Sequence, residues 1–225
     1  MTRDEVSQFR EEFREQHIPS WYSGTIHVVF NCIMMVGVCI YMLTLVENPT
    51  PLELLTLPVG LLIGNLGVYL IHKYLLHRVQ PFVEAFTFRV HTTWHHHFYT
   101  DENFLHDTRK DFYILFFPPT VILMFILLMM PATYYLLVAC SVPLNVVFLY
   151  LFTFALYFLL YESVHFISHL PLGNPLLRFP LFGFMRKHHL AHHNVELMYQ
   201  YNFNVVFPLF DYILGTVYKE EPSEP

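Results

Sequence analysis

The sequence predicts an all-α integral membrane protein with four transmembrane helices and a histidine-rich site at one membrane face. Only 13% of its 225 residues are charged and mean hydropathy is +0.41, whereas soluble domains have about 25% charged residues. Thirteen of the 15 histidines lie between His72 and His193. This composition excludes an ordinary soluble protein, and we expect no nucleic-acid partner.

Three long stretches almost free of charge set the number of spans. Thr25–Val46 has 22 residues and Leu52–Ile71 has 20, which is the length of one membrane-crossing helix, about 20 residues. Phe112–Tyr161 has 50 uncharged residues and would extend roughly 75 Å as a single helix. It must therefore fold back, with Pro131 and the Ser141–Pro143 stretch as candidate breaks, and the total is four spans.

The basic residues predict the orientation. All twelve Lys and Arg lie before the first span, between the second and third, or after the fourth. The short loops at Glu47–Pro51 and near Pro131–Pro143 have none. Because positive charge marks the cytosolic side, we expect both termini and every histidine cluster in the cytosol. The membrane is expected to be the endoplasmic reticulum or a bacterial inner membrane.

The residues before the first span predict a helix over Thr2–His17, because apolar residues recur there at helical spacing among charged ones. The pattern is typical of an interfacial helix with Trp21 and Tyr22 as headgroup anchors, or equally of a solvated N-terminal helix. We expect an N-terminal segment at 1–22, one membrane domain at 23–218 and a polar tail at 219–225.

Four short clusters contain most of the histidines: HKYLLH (His72–His77), HTTWHHH (His91–His97), HFISH (His165–His169) and HHLAHH (His188–His193). Histidine is the commonest metal ligand, and a metal ion takes about four protein ligands. Ten or more histidines on one membrane face therefore indicate two metal ions in one site. A pH sensor or a transport path is the alternative interpretation of such runs.

Spacing predicts which histidines act together. Residues four apart share one face of an α-helix, so His165 with His169, and His91 with His95, can each bind one ion. His189 can share a face with either His192 or His193. Adjacent residues diverge by about 100°, so His95 and His96 are expected to divide between two metals. The same holds for the adjacent pair His192-His193.

His72 and His77, five residues apart, would point about 140° apart in a regular α-helix. They either reach different metals or lie where the helix loosens. His97 and His188 are alternate ligands, and Asp101 and Glu162 are candidates either for orienting ligand rings or for a structural role. All-imidazole ligation suits zinc, copper, iron or nickel, so these residues do not select the metal.

The ordered clusters resemble the fatty acid hydroxylase superfamily of membrane fatty acid and ceramide hydroxylases, sterol desaturases and sterol methyl oxidases. LFFPP at Leu115–Pro119, YESVHFISHLP at Tyr161–Pro171 and FNVVFPLFDYILGT at Phe203–Thr216 extend the resemblance to roughly Leu61–Tyr218. It implies a four-helix membrane domain under a cytosolic helical cap, mainly 73–112 and 165–218, with a non-haem di-iron centre in which zinc can substitute. The ligands that the resemblance implies are His72, His77, His91, His95, His96, His165, His169, His189, His192 and His193.

The resemblance also implies the chemistry. Members use O₂ and two electrons to hydroxylate or desaturate an unactivated C–H bond of a membrane lipid, here a fatty acyl chain or a sterol. No catalytic residue separate from the metal centre is expected. Electrons would come from a separate protein, a b-type cytochrome with its reductase or a ferredoxin-like carrier. Arg178, Arg186 and Lys187 are a candidate docking site for it, or equally a set of charges that fixes the topology or contacts lipid.

The alternative function is a non-catalytic membrane protein that binds or transports transition metals. A transporter needs polar or ionisable groups along a path at mid-membrane. The spans offer Asn31, Asn65 and Asn145 as scattered polar groups, with no series of His, Asp or Glu at mid-span. The sequence therefore favours the oxidoreductase.

Overall fold

The computed structural model describes residues 2–219, which are all-helical, with no strand in that range. Four helices are long and apolar enough to cross a membrane, as predicted: Gly24–Thr44, Pro51–Leu76, Pro119–Ala139 and Leu144–Ser168. The chain is thus a multi-pass membrane protein. Apart from Lys219, the predicted tail lies outside the described residues. The other helices are Arg3–His17, the π-helix Arg89–His95, His96–Phe98, the 3₁₀-helix Arg109–Asp111, Phe112–Leu115, the 3₁₀-helix Pro175–Arg178, Pro180–His192 and Leu209–Ile213.

The described chain divides into two compact units. The first contains 2–19, 65–107 and 164–219, and the second contains 20–64 and 108–163. The first unit therefore contains all four histidine clusters. The domain boundaries drawn from the sequence stay a prediction.

The second unit has an apolar core contributed by three of the spans. Met35, Ile122 and Val147 are completely buried there, with Phe125 and Ala155 beside them. A pair of hydrogen bonds joins the loop after the first span to the start of the fourth span: the Glu47 amide donates to Asn145 Oδ1 at 3.0 Å, and Asn145 Nδ2 donates to the Glu47 carbonyl at 2.8 Å. Asn145 is therefore a structural group at the end of a span.

The turn between the third and fourth spans lies after Ala139, so the alternative break at Pro131 is wrong. Pro131 lies inside the third span, which continues to Ala139. Proline has no N–H and its ring crowds the preceding turn of the helix. The turn before it is a π-helix, Phe125–Met129, in which the Met130 N–H bonds the Phe125 carbonyl. This wider turn accommodates the proline without ending the helix.

Two glycines allow the second and fourth spans to pack closely. A Cβ atom at Gly60 would lie 2.1 Å from Thr153 Oγ1, and one at Gly64 would lie 2.6 Å from Tyr157 Cγ. Small residues four apart on one helix face let another helix pack closely, as is common in membranes. An added methyl group at either glycine would force the facing side chain to shift.

We predict that Gly64→Ala lowers the stability of the protein by about 1–3 kcal/mol, the usual cost of overpacking a helix contact. Thermal unfolding in detergent, followed by circular dichroism, measures the effect. Gly37→Ala is the matched control, since a Cβ at Gly37 meets nothing within 4 Å. Equal unfolding temperatures for the two variants would contradict the close contact.

The N-terminal helix Arg3–His17 begins at a capping box formed by Thr2 and Glu5. Its buried face contains Val6, Arg10 and Phe13. The helix therefore packs against protein within the first unit, an arrangement that neither sequence interpretation included.

Candidate metal centre

Ten histidines gather into two groups of five, both within the first unit. In each group the candidate ligand nitrogens all lie within 4.8 Å of one another. Nine of the ten histidines are buried and one is intermediate. The first group is His72, His77, His91, His96 and His192. The second group is His95, His165, His169, His189 and His193.

Two π-helical segments bring histidines five apart onto one face. The His77 N–H bonds the His72 carbonyl at 3.1 Å, and the His96 N–H bonds the His91 carbonyl. Such i→i+5 bonds define the π-helix, which is frequent at functional sites. His72 and His77 therefore share the first group. The predicted pairing of His91 with His95 is wrong, because the wider turn pairs His91 with His96 instead.

The other two clusters follow α-helical spacing. His165 and His169 lie four apart in the second group, as do His189 and His193. Adjacent histidines divide between the groups, as expected from their divergence around the helix. His192, next to His193, belongs to the first group.

Backbone carbonyls hold two rings of the first group. His72 Nδ1 lies 2.5 Å from the Phe203 carbonyl oxygen, and His192 Nδ1 lies 2.9 Å from that of Tyr201. A carbonyl can only accept, so each Nδ1 donates its proton. In a neutral imidazole the other nitrogen, Nε2, then has a free lone pair.

In the second group, backbone carbonyls from another segment also accept hydrogen bonds from Nδ1 atoms. His169 Nδ1 donates to the Phe104 carbonyl at 2.6 Å, and His193 Nδ1 donates to the Tyr99 carbonyl. Metal-binding histidines characteristically donate their outer N–H in this way, which fixes the tautomer and the ring direction.

The inner nitrogens converge. In the first group His91 Nε2 lies 2.8 Å from His72 Nε2 and 3.2 Å from His96 Nε2. In the second group His193 Nε2 lies 3.0 Å from His189 Nε2, and His169 Nε2 has no hydrogen-bond partner. Several inward lone pairs cannot satisfy one another, because each pair of facing nitrogens needs a shared proton. A transition-metal cation would satisfy them all, and an all-imidazole donor set suits iron, zinc, copper or nickel.

Burial keeps the clustered imidazoles neutral. It lowers the pKa of His96, His189 and His193 well below the usual range, and neighbouring imidazoles lower these pKa values further. Histidine must be neutral to bind a metal. The groups are therefore in their ligand form at neutral pH.

Asp211 is a buried residue that the sequence interpretation missed. Its carboxylate accepts hydrogen bonds from the amides of Phe203 and Asn204, at 2.9 and 2.7 Å, and from Thr216 Oγ1 at 2.8 Å. His188 Nε2 donates to it at 3.1 Å. Asp211 thus fixes the irregular segment around Phe203. The carbonyl of Phe203 in turn accepts the hydrogen bond from His72. The signal was present: Asp211 is the only charged residue between Phe203 and Val217.

The remaining candidates lie outside both groups. His97 packs edge-on against the Phe9 ring at 5.9 Å, and His188 bonds Asp211. Asp101 accepts a hydrogen bond at 2.7 Å from the side chain of Asn194, the residue after His193. That Asp101 orients a ligand ring stays a prediction.

Glu162 makes its described hydrogen bonds within the second unit. Its carboxylate accepts from the Phe117 amide at 3.1 Å and from Asn31 Nδ2 at 3.4 Å. Asn31 Nδ2 also donates to the Phe117 carbonyl at 2.9 Å. These contacts give Glu162 and Asn31 a structural role, and ring orientation by Glu162 stays a prediction.

Comparison with known families decides the relationship. The fatty acid hydroxylase family model matches residues 56–216, which include all ten histidines of the two groups. The chain belongs to the fatty acid hydroxylase family. A search of curated proteins gave no match.

A solved structure resembles this fatty acid hydroxylase family member. It is full-length Scs7p, of which only the hydroxylase domain is visible, with a TM-score of 0.61 and 25% sequence identity. The similarity covers 85% of this chain and 66% of the Scs7p chain. The all-helical fold with four apolar helices is therefore that of a hydroxylase domain.

We predict that Asp211→Ala destabilises the protein by about 3 kcal/mol or more, because buried donors left without an acceptor cost about 1–3 kcal/mol each. Chemical unfolding in detergent measures the change. Glu196→Gln, which removes an exposed carboxylate, is the control and should match the parent protein. A small effect for Asp211→Ala would show that the segment is held by other contacts.

Proposed function

We propose that this protein is an O₂-dependent membrane lipid hydroxylase or desaturase whose two histidine groups each hold one iron ion. The observation that carries the proposal is the convergence of inward Nε2 atoms, backed by Nδ1–H bonds to backbone carbonyls. Family membership supports an oxidoreductase that acts on lipid. The proposed ligands are His72, His77, His91, His96 and His192 for one ion, and His95, His165, His169, His189 and His193 for the other.

Two bound irons would supply the oxidation of an unactivated C–H bond with O₂ and two electrons. The chain fixes the orientation of the imidazole rings without the metal, because the hydrogen bonds from Nδ1 to backbone carbonyls set the tautomer. It also excludes water: the Phe104 ring lies 4.1 Å from the His169 ring, and the Tyr99 ring lies 4.6 Å from it. No separate acid–base residue is needed. Zinc fits the same ligands but cannot supply redox chemistry.

A separate electron donor is part of the proposal, either a b-type cytochrome with its reductase or a ferredoxin-like carrier. Of the three basic residues predicted to receive it, Arg178 and Lys187 are exposed. Arg186 is buried, donates to the Ser168 carbonyl at 2.8 Å and lies over the Phe104 ring at 5.1 Å. Arg186 thus supports the fold, and the proposed docking surface reduces to Arg178 and Lys187.

We also propose that the termini and both histidine groups face the cytosol, in the endoplasmic reticulum or a bacterial inner membrane. The distribution of Lys and Arg supports this orientation. Cytosolic donors could then reach the centre without crossing the bilayer.

We predict that protein purified and analysed without oxygen contains about two irons per chain, and that His96→Ala lowers the iron content and abolishes lipid oxidation. The adjacent His97→Ala is the matched control and should retain both, because His97 lies outside the two groups. Elemental analysis and product assays measure these outcomes. Equal behaviour of the two variants would reject the proposed ligand set.

The same preparation distinguishes an enzyme from a metal transporter. In liposomes, the proposed oxidoreductase should move no iron or zinc across the membrane, and isotope-labelled O₂ should mark a hydroxylated product. Untargeted lipid mass spectrometry then shows whether a lipid gains one oxygen atom or loses two hydrogen atoms. Metal uptake without oxidised lipid would favour the transporter instead.

A further inference from the structure

Arg10 joins three points of one irregular segment. Its side chain is only 6% exposed, although it lies on the N-terminal helix. Its Nε donates to the Phe98 carbonyl at 2.7 Å, its Nη1 donates to the Asp107 carboxylate at 2.9 Å, and its Nη2 donates to the Asn103 carbonyl. The acceptors lie at the start, the middle and the end of the segment 98–107. One guanidinium thus fixes the course of the whole segment.

The segment depends on such contacts because it has little regular structure. It forms neither helix nor strand between Tyr99 and Thr108. The guanidinium carbon of Arg10 also lies 4.9 Å from the centre of the Phe98 ring and 5.3 Å from that of Tyr99. Its planar fork of five N–H donors suits simultaneous bonds to several oxygens, which a lysine ammonium cannot reproduce.

The same segment supplies both carbonyls that hold rings of the second histidine group. The Tyr99 carbonyl accepts from His193 Nδ1, and the Phe104 carbonyl accepts from His169 Nδ1 at 2.6 Å. The corresponding carbonyls for the first group come from Tyr201 and Phe203, in a segment to which Arg10 makes none of its described hydrogen bonds. Arg10 therefore contacts the segment that supports the second group and not the one that supports the first.

We propose that Arg10 is a positioning residue for the second histidine group. By holding the 98–107 segment, it keeps the Tyr99 and Phe104 carbonyls where they direct His193 and His169 towards a common point. The inference rests on the proposed function, in which that group holds a metal ion. Arg10 lies outside residues 56–216, the part that matches the family model. The N-terminal helix therefore adds a support to the centre from beyond the matched region.

Metal titration of the full chain tests this. The protein in detergent micelles is loaded with iron(II) without oxygen, and the two irons are removed stepwise with a chelator. Arg10→Gln should lower the affinity for one iron about tenfold, within the usual effect of groups that orient ligands. The affinity for the other iron should be unchanged. Arg14→Gln is the matched control: Arg14 bonds the same Asp107 carboxylate at 2.8 Å and its removal should change neither iron.

A second set of variants identifies which iron responds. When His77 and His192 are both replaced by alanine, only the iron of the second group should remain, and Arg10→Gln should weaken it. When His165 and His189 are both replaced, Arg10→Gln should have no effect on the remaining iron. Equal weakening of both irons, or of neither, would overturn the role of Arg10.

Other outcomes are equally decisive. If Arg10→Gln fails to fold, as judged by circular dichroism, Arg10→Lys takes its place: it keeps the charge beside Asp107 but cannot reach all three acceptors. Arg10→Lys should weaken the second-group iron by a smaller factor, and parental affinity would overturn the inference. A parent protein that binds fewer than two irons would instead reject the proposed function, which separates the two failures.

Discussion

The Nδ1–H bonds from histidine rings to backbone carbonyls are the constraint on which the rest of the structure depends. A buried imidazole has two nitrogens, and a carbonyl that accepts from one of them leaves the other with a lone pair. His72, His169, His192 and His193 are all held this way. Without these bonds the rings could exchange tautomers and hydrogen-bond one another, and the groups would lose their shared preference for a cation.

The carbonyls belong to two irregular segments, and each segment is fixed by one buried ionic side chain. Asp211 accepts hydrogen bonds from amides and a hydroxyl of the segment that includes Phe203. Arg10 donates hydrogen bonds to carbonyls of the segment that includes Phe104. A buried charge is costly unless it is hydrogen-bonded. Asp211 accepts four hydrogen bonds and Arg10 donates three, so a distortion of either segment would cost its charged side chain some of these partners. The ring positions are therefore tied to the stability of the fold.

The four spans could be predicted from the sequence because charge-free length is a direct requirement of the bilayer, and the turn near Ser141–Pro143 was one of two candidates. Which histidines fall in the same group could be predicted only where the helix is regular, as for His165 and His169. The pairing of His91 with His96 could not, since a π-turn depends on tertiary contacts rather than on local propensity. Arg10 was also beyond prediction, because its acceptors lie about ninety residues away along the chain.

Adjacent histidines explain why two groups form one centre rather than two independent ones. His95 and His96 are neighbours in the chain but contribute to different groups, and so do His192 and His193. Consecutive Cα atoms are fixed at about 3.8 Å, so the separation of the groups is set by covalent geometry at two places. Across the groups, the rings of His96 and His193 stack with centroids 4.3 Å apart. The spacing that two metal ions would need is therefore set by the backbone at these two places.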